Sequence, residues 1–483
     1  MHMIDVKNTT QYYPLTSAQQ AIWFDQLLHK SLPLYNIGGA VTFHQSIDIT
    51  CFNQAINQLI QQHDNLRLQL TGAVDDAGVP QQTIVASYDY TVPLHDLSQE
   101  INPQAAAKTW MQQRFEQPFV LQNAALFRYD LIKLADDHYI WLAQYHHLII
   151  DGWAIALLNR SLGQLYTQLR ANEQPKWQPG SYVDYIAQDQ TYVASTQYAQ
   201  DKAYWVDQFK TIPDPLFKPQ HASTQTPTSG VISGYLPRAL YQDLHAFARN
   251  HQASLFQVLL GTLTVYLART QQQSALVIGL PTLNRSGAAF KQTGGLFTGV
   301  SPTVLQPDLQ GTFVEYLQAI RQTLQTSYRH QRFPVSDINR VVQPTHSHHQ
   351  LYDVTLSYER HDYQADFAGQ SSHTELLLHG HAQTPLTLYV RDFYATGDIK
   401  IDFVYNHAYF DASALQAFQA RWLHLLASLN DAKNDTKPLY QWPVMTESEQ
   451  HQLCIWQETQ VAYPHDSFVA LFAQQVQLSL IHI

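Results

Sequence analysis

Residues 138–152 read HYIWLAQYHHLIIDG, and their pattern predicts a strand that leads directly into a helix. The aromatic and β-branched residues ahead of the two histidines are typical of a strand, in which a period of two sends His146 and His147 to opposite faces. Apolar residues at helical spacing follow directly, namely Ile155, Leu158, Leu162 and Leu165. Asp151 and Gly152 therefore lie where a strand gives way to the N-terminus of a helix.

The same stretch brings together groups that can do chemistry. A neutral imidazole can accept a proton from an attacking amine or hold that amine in line, and the N–H of Gly152, at the positive end of a helix, can stabilise an oxyanion. The residues alone leave three other interpretations open. The histidine pair can be ordinary in a chain with 24 histidines. Asp151 can be a helix N-cap, or His147 and Asp151 can share a metal ion, although no third ligand at recognisable spacing accompanies them.

The composition indicates a globular protein of about two or three packed units. The chain has 483 residues, of which 45% are hydrophobic and 14% charged, and a net charge of −11. That charge repels phosphate backbones and anionic lipids, so we expect neither nucleic acid nor a membrane as a partner. Cys51 and Cys454 are the only cysteines. With no signal peptide and no long apolar run, the sequence predicts a soluble, cytoplasmic protein.

Periodic patterns upstream of the histidine pair predict further helices and strands. Thr16 and Gln19 form a capping box before an amphipathic helix, and Thr50 opens a second helix that ends near His63. Leu66, Leu68 and Leu70 alternate with polar residues, so a strand here would turn Arg67 away from the buried face. Residues 127–131 form a hairpin with the strand that starts at His138.

The second half repeats this mixture after a connection rich in Pro, Thr, Ser and Gln, from Lys210 to Gly230. The pattern predicts a helix over residues 254–268, strands over 275–278, 353–358 and 399–405, and a helix marked by Leu415, Phe418, Trp422 and Leu425. Residues 430–438 form a polar linker by composition. The sequence therefore predicts a mixed α/β protein in two parts.

Several segments resemble, in order, the signatures of the condensation domains of nonribosomal peptide synthetases. The signature His-His-x-x-x-Asp-Gly is complete at residues 146–152, whereas Asn284 stands where many members of that family have Gly. The other segments are YPLTSAQQAIW at 13–23, HDNLR at 63–67, YVDY at 182–185, IGLPTLNR at 278–285, GGLF at 294–297 and HQRFP at 330–334. The resemblance covers nearly the whole chain.

This resemblance implies an α/β (α+β) fold in which two chloramphenicol acetyltransferase-like lobes form a V-shaped pseudo-dimer with a central tunnel. It implies that His147 positions or deprotonates the acceptor amine, with Gly152 beside it. Asp151 is expected to be buried and paired with an arginine, with Arg285 as the first candidate and Arg67 as the second. His146 and Trp205 are expected to be structural, and Trp153 and Tyr358 to line the tunnel. We expect no metal.

The resemblance also implies a division of the chain and a set of partners. We expect an N-terminal lobe at 1–180, a C-terminal lobe at 181–440, and at 441–483 a linker with the truncated start of an adenylation domain, which residues 456–476 resemble. No cofactor is expected to bind directly, because 4'-phosphopantetheine arrives on carrier proteins. The donor carrier is expected in trans, with adenylation and carrier domains downstream. Residues 34–37 favour a starter-like or aryl-accepting type. A siderophore-like product is also expected.

The expected reaction is amide formation between a donor acyl, aryl or aminoacyl thioester and the amine of an acceptor aminoacyl thioester. Related alternatives are an epimerising or heterocyclising enzyme, and the intact histidine pair disfavours the second of these. A stand-alone acyltransferase with a free acceptor is a stronger alternative. A non-catalytic domain that only docks carriers belongs to a different class, and the complete signature weighs against it.

Overall fold

The computed structural model describes residues 11–76, 78–174, 179–220, 227–342, 350–360, 363–460 and 465–478. Its strands are β1 (Asn36–Phe43), β2 (Leu68–Val74), β3 (Pro80–Ile84), β4 (Leu94–Asp96), β5 (Phe127–Ala135), β6 (His138–His146), β7 (Ser229–Leu236), β8 (Leu276–Thr282), β9 (Gly299–Leu305), β10 (Val354–Glu359), β11 (Asp366–Phe367), β12 (Gln370–Ser371), β13 (His373–Leu376), β14 (Leu386–Arg391) and β15 (Ile399–Asn406). Its α-helices are α1 (Ser17–Leu28), α2 (Ile49–Gln62), α3 (Pro103–Phe115), α4 (Gly152–Arg170), α5 (Tyr182–Val193), α6 (Thr196–Gln208), α7 (Arg238–Asn250), α8 (Leu255–Gln271), α9 (Gly287–Lys291), α10 (Phe313–Arg329), α11 (Val335–Val342), α12 (Ala412–Ala427), α13 (Glu447–Gln457) and α14 (Phe468–Leu478).

The first large sheet has the strand order β13-β1-β6-β5-β4. The predicted hairpin is confirmed, since β5 and β6 pair antiparallel from Phe127 opposite Tyr145 onward. Rings on one face of these strands, among them Tyr129, Trp141 and Tyr145, pack with α2 and α4 into one core. The sheet therefore delivers the end of β6, with the histidine pair, to the edge of a large aromatic core.

The second large sheet has the order β7-β15-β14-β10-β8-β9, and α8, α10 and α12 pack against one of its faces. Two of its strands lie where they were predicted, because β10 starts one residue into the segment expected at 353–358 and β15 covers the segment expected at 399–405. Trp422 and Trp442 are fully buried in this second core. The two sheets form two lobes, each with its own apolar core.

The lobes are joined by more than a linker. The short strand β13 pairs antiparallel with β1, so the second half of the chain supplies an edge strand of the first sheet. Tyr182, Phe297 and Phe367 also lie in the first core. The domain ranges 1–180, 181–440 and 441–483 remain a prediction, and the first core draws on residues from beyond the first of them.

Two local expectations are corrected. The predicted strand through Leu66 and Arg67 starts only at Leu68, because Asp64–Arg67 forms a short 3-10 helix. The second helix starts at Ile49 rather than Thr50, since the side chain of Asp48 accepts a hydrogen bond from the N–H of Cys51 and caps it. The capping box of Thr16 and Gln19 is confirmed. Across the described residues, the helices are too short or too polar to cross a bilayer.

Candidate active site

His147 lies in a turn and not in the strand that the period of two predicted. Strand β6 ends at His146, and His147–Ile149 forms a single 3-10 turn before α4. The N–H of His147 donates to the carbonyl of Tyr35 at 2.8 Å, just before β1. The turn carries the imidazole past the edge of the sheet and into the space between the lobes.

Residues of the predicted signature segments hold this turn in place. The side-chain amide of Gln19, from 13–23, donates to the carbonyl of Leu148 at 3.0 Å. The side-chain amide of Asn65, from 63–67, donates to the carbonyl of Ile149, also at 3.0 Å. Two distant segments thus satisfy carbonyls that would otherwise be buried without partners, and they fix the position of His147.

His146 is structural by its contacts. Its side chain is 1% exposed, its Nδ1 accepts from the N–H of Leu148 at 3.2 Å, and its Nε2 lies 3.4 Å from Oε1 of Gln26. These partners require the neutral ring with the proton on Nε2. Burial, with a smaller contribution from His147, lowers the pKa of His146 to about 3, so this ring stays uncharged.

Two cavities meet at His147. One has a volume of about 810 Å³ and is bordered by α1 and by residues 331–336, and we call it the first cavity. The other has about 760 Å³ and is bordered by β10 and β14, and we call it the second cavity. Neither is closed off from solvent. Residues that line both include Asp25, Tyr35, His147, Thr298, Tyr352 and Gln383.

The imidazole of His147 is held neutral at physiological pH. Burial lowers its pKa from the usual 6.5, and the carboxylate of Asp151 with nearby backbone groups opposes that effect only in part. A neutral ring can accept a proton or a hydrogen bond from an amine, whereas a charged ring cannot. His147 is therefore in the state that a base or an amine-positioning group needs.

Asp151 joins the two lobes through a fully satisfied carboxylate. Its Oδ1 accepts from Ala154 N at 2.9 Å, which caps α4, and from Arg285 Nη2 at 2.7 Å. Its Oδ2 accepts from Phe297 N at 3.0 Å and from the N–H and hydroxyl of Thr298 at 3.3 and 3.1 Å. Burial alone would raise the pKa of Asp151, but Arg285 and the backbone donors together hold it below its usual value.

Arg285, the first of the two candidates, is thus the partner of Asp151, and both side chains are inaccessible to solvent. Its guanidinium also donates to the carbonyls of Phe290, Thr293 and Gly295, and it lies 3.9 Å from the centre of the Phe297 ring. This arginine therefore ties the start of α4 to the loop before β9.

Arg67, the second candidate, lies elsewhere. It pairs with Asp64 at 2.9 Å and donates to the carbonyl of Val85. Asp64 in turn accepts from Ser181 and from the N–H of Tyr182, so this pair anchors the start of α5. Arg67 is not a partner of Asp151 because its short 3-10 turn directs it to its own neighbour.

The structure places the other predicted residues as follows. Gly152, Trp153 and Tyr358 line the second cavity, and Gly152 is the first residue of α4. Trp205 is 1% exposed and donates to the carbonyl of His330, which holds the segment 330–334 beside the first cavity. In the described part of the chain, no group of three or more His, Cys, Asp or Glu side chains is arranged to hold a metal ion.

One polar cluster beside His147 was missed by the sequence reasoning. The hydroxyl of Tyr35 donates to Asp25 at 2.6 Å, and the side chain of Gln383 donates to the same carboxylate at 2.9 Å. Asp25 and Tyr35 are ten residues apart, whereas Gln383 lies 358 residues from Asp25. Tyr35 lies in the segment 34–37, so part of the signal was present, but no spacing links it to Gln383.

Fold and site together define a class: a two-lobed protein with a neutral histidine where two cavities meet. The condensation domain family model matches residues 9–454. A starter condensation domain of rhizomide synthetase, solved in complex with C8-CoA, is 28% identical with a TM-score of 0.79, over 89% of this chain and 97% of that one. The first condensation domain of the calcium-dependent antibiotic synthetase is 21% identical with a TM-score of 0.80, over 91% and 100%, and supports the fold.

Much longer proteins are similar as well. Surfactin synthase subunit 1 from Bacillus subtilis (strain 168) is 26% identical over 86% of this chain and 12% of its own length. The dimodular nonribosomal peptide synthase of the same organism is 26% identical over 97% of this chain and 20% of its own. The chain thus spans a fifth or less of these two curated relatives.

The chain belongs to the condensation domain family of nonribosomal peptide synthetases. Condensation domains catalyse amide bond formation, an acyltransferase-type reaction, and the predicted function class is confirmed. The predicted fold is confirmed as mixed α/β with two sheet-containing lobes, consistent with the chloramphenicol acetyltransferase-like fold. The family also implies phosphopantetheine arms on partner carrier domains.

Proposed function

We propose that this chain joins a donor acyl, aryl or aminoacyl thioester to the α-amine of an acceptor aminoacyl thioester, with His147 as the catalytic residue. The observation that carries the proposal is the position of His147, whose neutral ring borders both cavities. Two phosphopantetheine arms that enter from opposite cavities would bring an amine and a thioester carbonyl to one imidazole. Such placement replaces an encounter in solution by an attack between held groups.

The proposed reaction balances as follows. The amine nitrogen attacks the thioester carbonyl carbon, and a C–N bond forms while the carbonyl oxygen becomes an oxyanion. His147 takes the proton that the amine loses, or holds the amine in line while the proton passes on. The C–S bond then breaks, and the thiolate leaves on its phosphopantetheine arm and receives the proton. The N–H of Gly152, at the start of α4, is the proposed donor to the oxyanion.

The surrounding residues act by position. Asp151 and Arg285 hold the start of α4 against Phe297 and Thr298, and Thr298 borders both cavities. Trp153 and Tyr358 are proposed to line the passage for the arm that enters the second cavity. These side chains set the width of the passage rather than take part in proton transfer.

The donor is proposed to be a starter acyl or aryl group on a carrier in trans, with adenylation and carrier domains downstream. Support comes from the similarity to the starter condensation domain of rhizomide synthetase. The segment 34–37, which favoured this type, lines the second cavity. The likeness of residues 456–476 to the start of an adenylation domain supports the downstream partners. A siderophore-like product and a cytoplasmic location belong to the same proposal.

The test is amide formation from a loaded donor carrier and an aminoacyl acceptor carrier, followed by mass spectrometry of the carrier-bound product. His147→Ala is expected to lower the rate on the order of a thousand-fold, the usual range for loss of a base and its positioning. His451→Ala is the matched control, because His451 is exposed on α13 and borders neither cavity. Turnover by His147→Ala within a few-fold of the unaltered chain would refute the assigned role.

A further inference from the structure

The second cavity has a polar wall made by one face of the second sheet. Strands β10 and β14 lie side by side, and apolar residues alternate with polar ones along both, except that Tyr358 occupies an apolar position of β10. The apolar residues, such as Leu356 and Leu388, enter the second core. The polar set, which we call the polar wall, consists of Thr355, Ser357, Glu359, Thr387, Tyr389 and Arg391, and all six line the second cavity.

Charges on this wall are mostly withdrawn from solvent. Arg391 lies between Glu359, at 3.3 Å, and Asp402, and its side chain is 7% exposed. Lys400 pairs with the same Asp402 at 3.4 Å. Buried ion networks of this kind rarely stabilise a fold more than apolar residues of the same volume would. Stability therefore does not account for a polar lining at this place.

Hydrogen-bonding groups on the wall and next to it are left available. In the described part of the chain, no residue bonds with the hydroxyl of Tyr389, and its ring borders the cavity. Nδ1 of His379 and the hydroxyl of Thr282 also line this cavity and are buried without a partner among the described residues. Unpaired buried polar atoms cost free energy unless a ligand or water satisfies them.

We infer that the substrate group held in the second cavity is a polar acyl group, such as a hydroxyaryl or a polar aminoacyl group, and that Tyr389 and Glu359 select it over an alkyl chain. A saturated chain would leave the wall dehydrated and unpaired, whereas hydroxyl or amide groups can bond with it. Glu359 and Asp402 are balanced by Arg391 and Lys400, so the wall favours a neutral polar group over a charged one. This inference rests on the proposed function and names the substrate class of the same site.

The test compares two identical substitutions on the same sheet face. Tyr389→Phe removes one hydroxyl from the polar wall. Tyr235→Phe removes one hydroxyl from β7. Tyr235 is 59% exposed, pairs with Lys400 across the sheet and does not line the second cavity. The probes are amide-linked pantetheine analogues that carry hydroxybenzoyl, seryl or octanoyl groups, and binding to the full chain is measured by calorimetry.

Tyr389→Phe is expected to weaken binding of at least one polar analogue about five-fold and to leave octanoyl binding unchanged, the effect of one hydrogen bond. Glu359→Gln is expected to weaken binding of the polar analogue on the order of ten-fold, because a charged acceptor is lost. Tyr235→Phe is expected to leave the binding of all three analogues unchanged. Octanoyl binding at least as tight as that of both polar analogues, or polar binding unchanged in Tyr389→Phe, would overturn the inference.

A parallel assay separates this inference from the proposed function. Amide formation is measured with the corresponding thioesters, first varying the donor with a fixed acceptor and then the reverse. If the octanoyl thioester gives product and the enzyme shows no preference for the polar thioesters, the inference is wrong and the proposed function stands. If no pair of thioesters gives product while binding of the polar analogues still depends on Tyr389, the inference stands and the proposed function fails. A drop in kcat/KM confined to one of the two substrates shows which arm enters the second cavity.

Discussion

Replacement of Asp151 by alanine is the perturbation with the clearest structural consequence. The change removes the acceptor of five hydrogen bonds and leaves Arg285 buried with no opposing charge. Breaking a buried ion pair in this way costs about 3–5 kcal/mol of unfolding free energy. For a chain of 483 residues that unfolds cooperatively, such a loss lowers Tm by about 4 °C.

The assay is thermal and denaturant unfolding of Asp151→Ala, Arg285→Met and the double variant. The double variant is expected to be more stable than the sum of the single effects predicts, because it leaves no unpaired charge. Arg340→Met is the matched control. Arg340 is 74% exposed in its pair with Asp337, so its loss is expected to cost about 1 kcal/mol or less. A Tm for Asp151→Ala within about 1 °C of the unaltered chain would refute the reasoning.

The pH dependence of this effect has a defined sign. The folded pKa of Asp151 lies below the usual 3.8, so its contribution to stability is present above that pH and is lost as the pH falls through the lowered value. The stability difference between the unaltered chain and Asp151→Ala should therefore be constant near neutral pH and shrink only below pH 3.8. A difference that shrinks already between about pH 5 and 7 would contradict the assigned shift.

Three further outcomes are expected. The acceptor amine titrates at about pH 8, so the logarithm of the rate should fall with unit slope as the pH drops below that value. The slope should become steeper only below pH 6.5, where His147 gains a proton. A pH–rate profile that steepens above pH 6.5 would contradict this. Gly295→Ala should lower Tm more than Gly287→Ala, because a Cβ at Gly295 would lie 2.2 Å from the Tyr182 ring whereas at Gly287 it meets nothing within 4 Å, and both have positive φ. Arg67→Met should cost about 1 kcal/mol in denaturant unfolding, since its pair is partly exposed.

Local patterns predicted most of the elements around the site. The hairpin of β5 and β6, the start of α4 and the capping box of α1 each depend on residues close in sequence, where side-chain period and capping chemistry act directly. The errors occur where a distant contact decides the backbone. Asn65 bonds with the carbonyl of Ile149, and the backbone of Asp64–Arg67 closes a turn in place of the expected strand.

The site itself was predictable only in part. The partner of Asp151 lies 134 residues away, and it was resemblance, not spacing, that ranked Arg285 above Arg67. The alternation along β10 was visible in the sequence, but alternation shows only that two faces differ. That the polar face borders a cavity rather than bulk solvent depends on how the two lobes meet, and no local pattern encodes that.

The pairing of β13, from the second half of the chain, with β1 has a consequence for synthesis of the chain. Strand β1 stays an open sheet edge until the ribosome has made residues as far as Leu376, because its outer neighbour comes from the second half. An exposed edge with free N–H and C=O groups readily pairs with other chains. The nascent first lobe therefore carries an edge that is open to pairing with other chains until β13 has been made.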